Sequence, residues 1–241
     1  MAISTSGSVG GVRGESTPPG AVLSNLTMSF GGHVVLDGAR ANIPDHGVTF
    51  LLGANGSGKT TLMRCILGQY PYSGEVTWKG QRIHPSRRLV YPVFDDCSFY
   101  VNGSGATNLR LLGFRQALPS VPYLDRDTLS RPIREYSLGQ RKRLALTAAL
   151  GSGAEWLLLD EPTTGLDHGA MKQFKRDLAS LASRCAVLVT GHHLEFYDDL
   201  AERALALRSG VLTEVRRDEW CGQGGGGLVG IYEKLCATDG Y

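Results

Sequence analysis

One eight-residue stretch, Gly53-Ala54-Asn55-Gly56-Ser57-Gly58-Lys59-Thr60, carries the most specific chemical signal in the chain. Glycines at 53, 56 and 58 let the backbone turn tightly and aim its N–H groups inward. A helix opening near Lys59 adds the positive end of its dipole to that nest. Lys59 is then placed to reach the β- and γ-phosphates of a nucleotide, and the Thr60 hydroxyl to ligate Mg²⁺. The candidate nucleotide contacts are Gly53, Asn55, Gly56, Ser57, Gly58, Lys59, Thr60 and Thr61. A second signal lies further along, where Asp160 and Glu161 end the apolar run Trp156–Leu159. Neighbouring residues on a strand point to opposite faces, so the two acids need not compete for one site. Asp160 suits the Mg²⁺ hydration shell, and Glu161 suits a base that polarises the attacking water. Two acids at a strand end are most often merely solvated. The phosphate loop gives this pair a substrate.

These groups need a frame to hold them. Leu23–Phe30 and Ala39–Ile43 read as early strands, and Val48–Leu52 as a short apolar strand that runs into the glycine loop. Val76–Trp78, Leu89–Val93, Trp156–Leu159, Ala186–Thr190 and Ala204–Leu207 read as further strands. Leucine and alanine recur at helical spacing over Ala106–Phe114 and Leu138–Leu150, and Ala170–Leu181 is amphipathic. Strands that alternate with helices predict an α/β, doubly wound parallel sheet, with ligands at the carboxyl ends of its strands.

The ends of the chain read differently. Of the first 20 residues, 13 are Gly, Ser, Thr or Pro, which predicts a disordered tail over 1–20. Residues 222–227 hold five glycines and read as a flexible linker, followed by an apolar patch, Leu228–Leu235, suited to a docking helix. Residues 21–221 are expected to form one domain. With 25 Lys and Arg against 23 Asp and Glu, the net charge is +2 and no basic stripe is seen, which argues against a nucleic-acid partner. No apolar run approaches the roughly 18 residues of a membrane span. The start lacks the charged and apolar regions of a secretory signal. The five cysteines are odd in number and include no CxxC pair, so they read as reduced thiols.

A phosphate loop alone fits kinases, GTPases, motors and transport ATPases. The segment Tyr136–Asp167, YSLGQRKRLALTAALGSGAEWLLLDEPTTGLD, narrows the choice, because it resembles the ATP-binding cassette (ABC) family. The resemblance covers about Leu23 to Val215. It implies a mixed and parallel sheet core with an N-terminal antiparallel β subdomain and a short inserted helical subdomain, about 96–150. It also implies ATP and Mg²⁺ as ligands, and head-to-tail pairing with a second nucleotide-binding subunit, the same chain or a relative. In that pairing Ser137, Gly139 and Gln140 of the signature cap the ATP held on the partner's loop. Phe30 resembles the aromatic residue that stacks on adenine, although a lone Phe is more often core. Thr163–Asp167 resembles the loop that couples the two sites, and Asp167 also suits an N-cap of the following helix. His192 resembles the switch histidine at the γ-phosphate, with His193 its neighbouring competitor.

Two departures stand out. Leu138 occupies a position where the family usually has glycine, a form found in the type-2 exporter branch that includes bacitracin and lantibiotic self-resistance pumps. No glutamine occupies the Q-loop; alignment with that branch puts Asp95 there as a metal-shell group, with Asp96 the alternative. The resemblance thus implies the ATPase subunit of an exporter, at the cytoplasmic face of a membrane and powering a separate multi-span permease, with antibiotic or peptide cargo. A soluble ABC ATPase outside transport, or a degenerate ATP-binding regulatory module, are the competing expectations.

Overall fold

The computed structural model describes residues 20–83, 89–94, 96, 99–112, 123–221 and 226–237. Of the expected features, the tail before Gly20, Asp95, the end of the helix ending at Phe114, residues 222–225 of the glycine linker, and 238–241 lie outside the described residues.

The strands are β1 (Ala21–Phe30), β2 (His33–Ile43), β3 (Gly47–Leu52), β4 (Ser73–Trp78), β5 (Gln81–Arg82), β6 (Val90–Val93), β7 (Trp156–Leu159), β8 (Ala186–Val189), β9 (Ala201–Arg208) and β10 (Val211–Val215). The helices are α1 (Lys59–Ile66), α2 (Gly105–Leu111), α3 (Arg126–Ser130), α4 (Leu138–Leu150), α5 (His168–Ala182), α6 (Leu194–Tyr197), α7 (Arg217–Cys221) and α8 (Gly227–Ala237). Four strands form an antiparallel sheet in the order β2-β1-β4-β5, and six form a second sheet in the order β10-β9-β3-β8-β7-β6. The second sheet is parallel from β9 through β6, with β10 antiparallel at its edge. This is the α/β architecture that the sequence predicts, with the antiparallel subdomain that the family resemblance implies.

The parallel strands are buried on both faces, which is why they read as continuous apolar runs. Leu157 and Leu159 of β7 face one core layer, with Val187 and Val189 of β8 and Phe174 and Leu178 of α5. Trp156 and Leu158 face the opposite layer, with Leu188, the α1 residues Leu62 and Met63, and the inner face of the antiparallel sheet. Trp78 of β4 stacks on Trp156 at 5.4 Å and 16° between planes, which ties the two sheets together. A third cluster, including Leu109, Leu129, Ile133, Leu144 and Ala148, holds α2, α3 and α4 together. α8 adds Leu228 and Ile231 to the layer under α5.

Register sets the site. Phe50, Val189, Leu159 and Val93 lie side by side across β3, β8, β7 and β6. The residues just beyond that row, among them Asp160 and Thr190, therefore emerge together at the carboxyl edge. The short elements β5, α3, α6 and α7 were not expected from the sequence, and two of the longer strands also differ from expectation. β2 starts six residues before Ala39, because the exposed first half of the strand and Gly38, at φ 60°, conceal its alternation. β10 is missed because its exposed Val211, Thr213 and Glu214 dilute a short apolar pattern.

Candidate functional site

The glycine loop leaves β3 and turns directly into α1. Gly58 occupies the N-cap position at φ 103°, with no side-chain cap, so the first N–H groups of α1 stay open to an external acceptor. Gly56 sits at φ 78°. The Ser57 hydroxyl is buried and has no hydrogen-bond partner among the described residues. Lys59 Nζ donates to the carbonyls of Gly53 at 2.7 Å and Ala54 at 3.0 Å, curling back along the loop. Burial holds the Lys59 ammonium below its ordinary pKa, with the Asp160 and Glu161 carboxylates opposing that shift.

The acid pair meets this loop from the end of β7, with β8 between that strand and β3. Thr60 Oγ1 donates to Asp160 Oδ2 at 2.7 Å. Asp160 Oδ1 accepts from Thr190 Oγ1 at 2.7 Å, and its carbonyl accepts from the buried ammonium of Lys142 at 3.0 Å. Glu161 turns away at φ 48°, an uncommon conformation for a residue with a side chain. Its amide donates to Thr190 Oγ1 at 3.0 Å, and its Oε1 lies 2.9 Å from His192 Nε2. His193 instead takes the N-cap position of α6 and caps it with no side-chain bond.

These groups share one open cleft of about 430 Å³, lined by Phe30, Asn55, Gly56, Gly58, Lys59, Thr60, Thr61, Asp160, Glu161 and His192, with Val35. Phe30 is 48% exposed and makes a T-shaped contact with Tyr70 at 5.2 Å between ring centroids. The arrangement offers open helix N–H groups and a cation for an anion, two hard oxygen donors side by side, and a carboxylate paired with an imidazole. Gly53 and Ser57 line the back of the loop instead, where Leu235 and Cys236 of α8 complete a second cleft of about 240 Å³.

The signature residues lie apart from this cleft; none of Ser137, Gly139 and Gln140 lines it. Ser137 is the N-cap of α4 and forms a reciprocal capping box with Gln140. Leu138 is 70% exposed beside it. Gly139 packs so closely on Gly165 that a Cβ there would stand 2.8 Å from the Gly165 carbonyl. Asp167 does two jobs: it N-caps α5 through the Ala170 amide and pairs with Arg143 of α4. Asp96, the alternative to Asp95, pairs with Arg64 at 2.7 Å.

The sequence reading missed Thr190 and Lys142. The four-residue runs WLLL and AVLV are followed by Asp160 and Thr190 respectively, but only the parallel pairing of those strands sets the two residues side by side. Lys142 carried no signal, because a lysine on an amphipathic helix normally reads as a solvated face.

Comparison with known proteins agrees with this geometry. The profile of the family described as ABC transporter matches residues 36–164, more than half of the chain. The lantibiotic transport ATP-binding protein SrtF of Streptococcus pyogenes is 28% identical over 191 residues, covering 75% of this chain and 83% of SrtF. The phosphate import ATP-binding protein PstB 2 of Mycobacterium tuberculosis is 32% identical over 227 residues, covering 83% and 82%. A solved structure described as the ATP binding subunit of an ABC transporter superposes with a TM-score of 0.81 at 20% identity, covering 90% of this chain and 99% of that one. The chain belongs to the ABC transporter family and is one of its ATP-binding subunits, an ATPase.

Proposed function

We propose that the cleft between Gly56–Thr61 and the Asp160-Glu161 pair binds Mg-ATP and hydrolyses it to drive a separate membrane permease. The observation that carries this reading is the convergence of the Lys59 ammonium, the Thr60–Asp160 contact and the Glu161–His192 contact on one cleft. The phosphates rest on the N–H groups of the loop and of α1, and Lys59 exchanges its two carbonyl partners for phosphate oxygens. Adenine stacks on Phe30.

The residues fit Mg²⁺. Thr60 and Asp160 bring a hydroxyl and a carboxylate to adjacent positions, and among the described residues no group of three His, Cys, Asp or Glu side chains could hold a metal alone. Such a sparse oxygen set suits an ion that keeps its waters and shares the substrate's phosphates. When bound, it neutralises charge that develops between the β- and γ-phosphates. Glu161 orients the attacking water and accepts its proton, while His192 holds the Glu161 carboxylate and faces the γ-phosphate end of the cleft. Its second carboxylate oxygen lies 3.4 Å from Thr164 Oγ1, a long contact at the solvent-exposed side.

A single chain leaves the γ-phosphate open to solvent. Ser137, Gly139 and exposed Leu138 form a face suited to close the cleft of a second nucleotide-binding subunit, with the α4 N-terminus aimed at the anion. ATP closes this dimer, and hydrolysis releases it. The permease that the cycle drives is a multi-span membrane protein. Export of a peptide antibiotic is the cargo reading favoured by the Ser-Leu-Gly signature together with the name of SrtF. Import is the second reading, favoured by the greater identity to PstB 2.

Sedimentation of the Glu161→Gln protein tests the dimer. With Mg-ATP it should sediment as a dimer, and without nucleotide as a monomer. A monomer under both conditions, in the presence and absence of a co-purifying permease, contradicts the proposal.

A further inference from the structure

The two acids at the end of β7 share one small anchor. Thr190 follows β8 directly and is wholly buried. Its own amide donates to the Leu159 carbonyl at 2.9 Å, which fixes it opposite the Asp160 position. A hydroxyl has one proton to give and lone pairs to receive. Here the proton goes to Asp160 Oδ1 at 2.7 Å, and a lone pair receives the Glu161 amide at 3.0 Å.

The consequences differ for the two acids. Asp160 has one carboxylate oxygen bound to Thr190 and the other to Thr60, so rotation of the carboxylate breaks both bonds at once. Its Oδ2 is thereby kept toward the cleft and its Oδ1 toward the interior. Glu161 sits in the left-handed region at φ 48°, a conformation that persists for such a residue only where the surroundings hold it. The bond to Thr190 is one hold on the backbone; His192, two residues beyond Thr190, is the hold on the side chain. The segment leaving β8 therefore fixes Glu161 at both ends.

We infer that Thr190 is a positioning residue for ATP hydrolysis, whose single hydroxyl sets the metal-side acid and the base relative to each other. The inference rests on the roles proposed above for Asp160 and Glu161. It assigns Thr190 no contact with substrate.

The test compares Thr190→Val, Thr190→Ala and Thr190→Ser in the full chain, with the wild type and Glu161→Gln alongside. Turnover is expressed per ATP-binding site, measured by equilibrium ATP binding, so that misfolded protein is not counted. Thr190→Val, which keeps the shape and loses the hydroxyl, should lower kcat at least tenfold and raise the Mg²⁺ concentration for half-maximal rate at least threefold. Its KM for ATP should stay within threefold of wild type. Thr190→Ser should stay within threefold of wild type in all three quantities. A Thr190→Val kcat within twofold of wild type overturns the inference, and so does a Thr190→Ser protein as slow as Thr190→Val. If Thr190→Val does not fold, equal rates for Thr190→Ala and Thr190→Ser overturn it instead. Wild-type turnover by Glu161→Gln would sink the reading of the base; a slow Glu161→Gln with an unimpaired Thr190→Val sinks the Thr190 role alone.

Discussion

His192 Nε2 lies 2.9 Å from Glu161 Oε1, so the imidazole and the carboxylate act as one unit at the edge of the cleft. His192 is 58% exposed and Glu161 25% exposed at the side chain, so the pair faces the space where a γ-phosphate and its attacking water would sit. An exposed imidazole–carboxylate contact of this kind contributes little to stability, about 0–1 kcal/mol. The purpose of this one is therefore to be sought in chemistry.

His192→Ala should leave the fold and ATP binding intact and slow turnover. Misplacing a reacting group by about 1 Å can cost about 10²-fold in rate. Steady-state phosphate release and equilibrium ATP binding on the same preparation check this. A rate within twofold of wild type would show that Glu161 needs no support from His192.

Lys59 should make stability depend on pH in the alkaline range. Its folded-state pKa is lowered, chiefly by burial, while the unfolded chain keeps the ordinary value of 10.5. Between the two values the unfolded state binds more protons, so this group adds stability as pH rises toward 10.5 and removes it as pH falls. The stability of wild type minus that of Lys59→Met should therefore grow as pH rises toward 10.5 in denaturant titrations. A flat or falling difference contradicts the burial of the ammonium. Lys59→Met should also weaken ATP binding at neutral pH.

Leu138 separates monomer folding from dimer closure. It is 70% exposed, so a charge there stays largely solvated in one chain. Leu138→Glu should change stability by no more than about 0.5 kcal/mol. It should nevertheless prevent the ATP-dependent dimer of the Glu161→Gln background. Thermal unfolding and sedimentation of the double variant read the two effects separately.

Gly139→Ala probes the contact behind the signature. Its Cβ would stand 2.8 Å from the Gly165 carbonyl, so α4 and the loop before Asp167 must move apart. Since neither residue lines the cleft, ATP affinity should change less than threefold while the dimer's turnover falls at least tenfold. An unchanged turnover would show that the two loops yield without consequence.

Much of this site was legible from residue types alone. The Gly53–Thr60 loop and the Asp160-Glu161 pair depend on local order, and local order is what a sequence displays. The Trp156–Leu159 strand was equally plain, because burial on both faces leaves an unbroken apolar run. What stayed hidden depends on register between distant strands. Thr190 becomes meaningful only once β8 lies parallel to β7 with Val189 beside Leu159. Lys142 looks like any surface lysine until α4 is laid against the end of β7 and its ammonium finds the Asp160 carbonyl. The approach of Leu235 and Cys236 to the back of the loop was hidden for the same reason, since a glycine-rich stretch separates them from the rest.

The most direct measurement pairs ATP binding with phosphate release for Glu161→Gln. The account predicts ATP affinity within threefold of wild type and turnover reduced by at least two orders of magnitude, because the substitution removes the base and leaves the loop, Lys59 and the Thr60–Asp160 contact in place. Undiminished phosphate release from a protein that binds ATP normally would contradict the assignment of Glu161, and with it the mechanism proposed for the cleft.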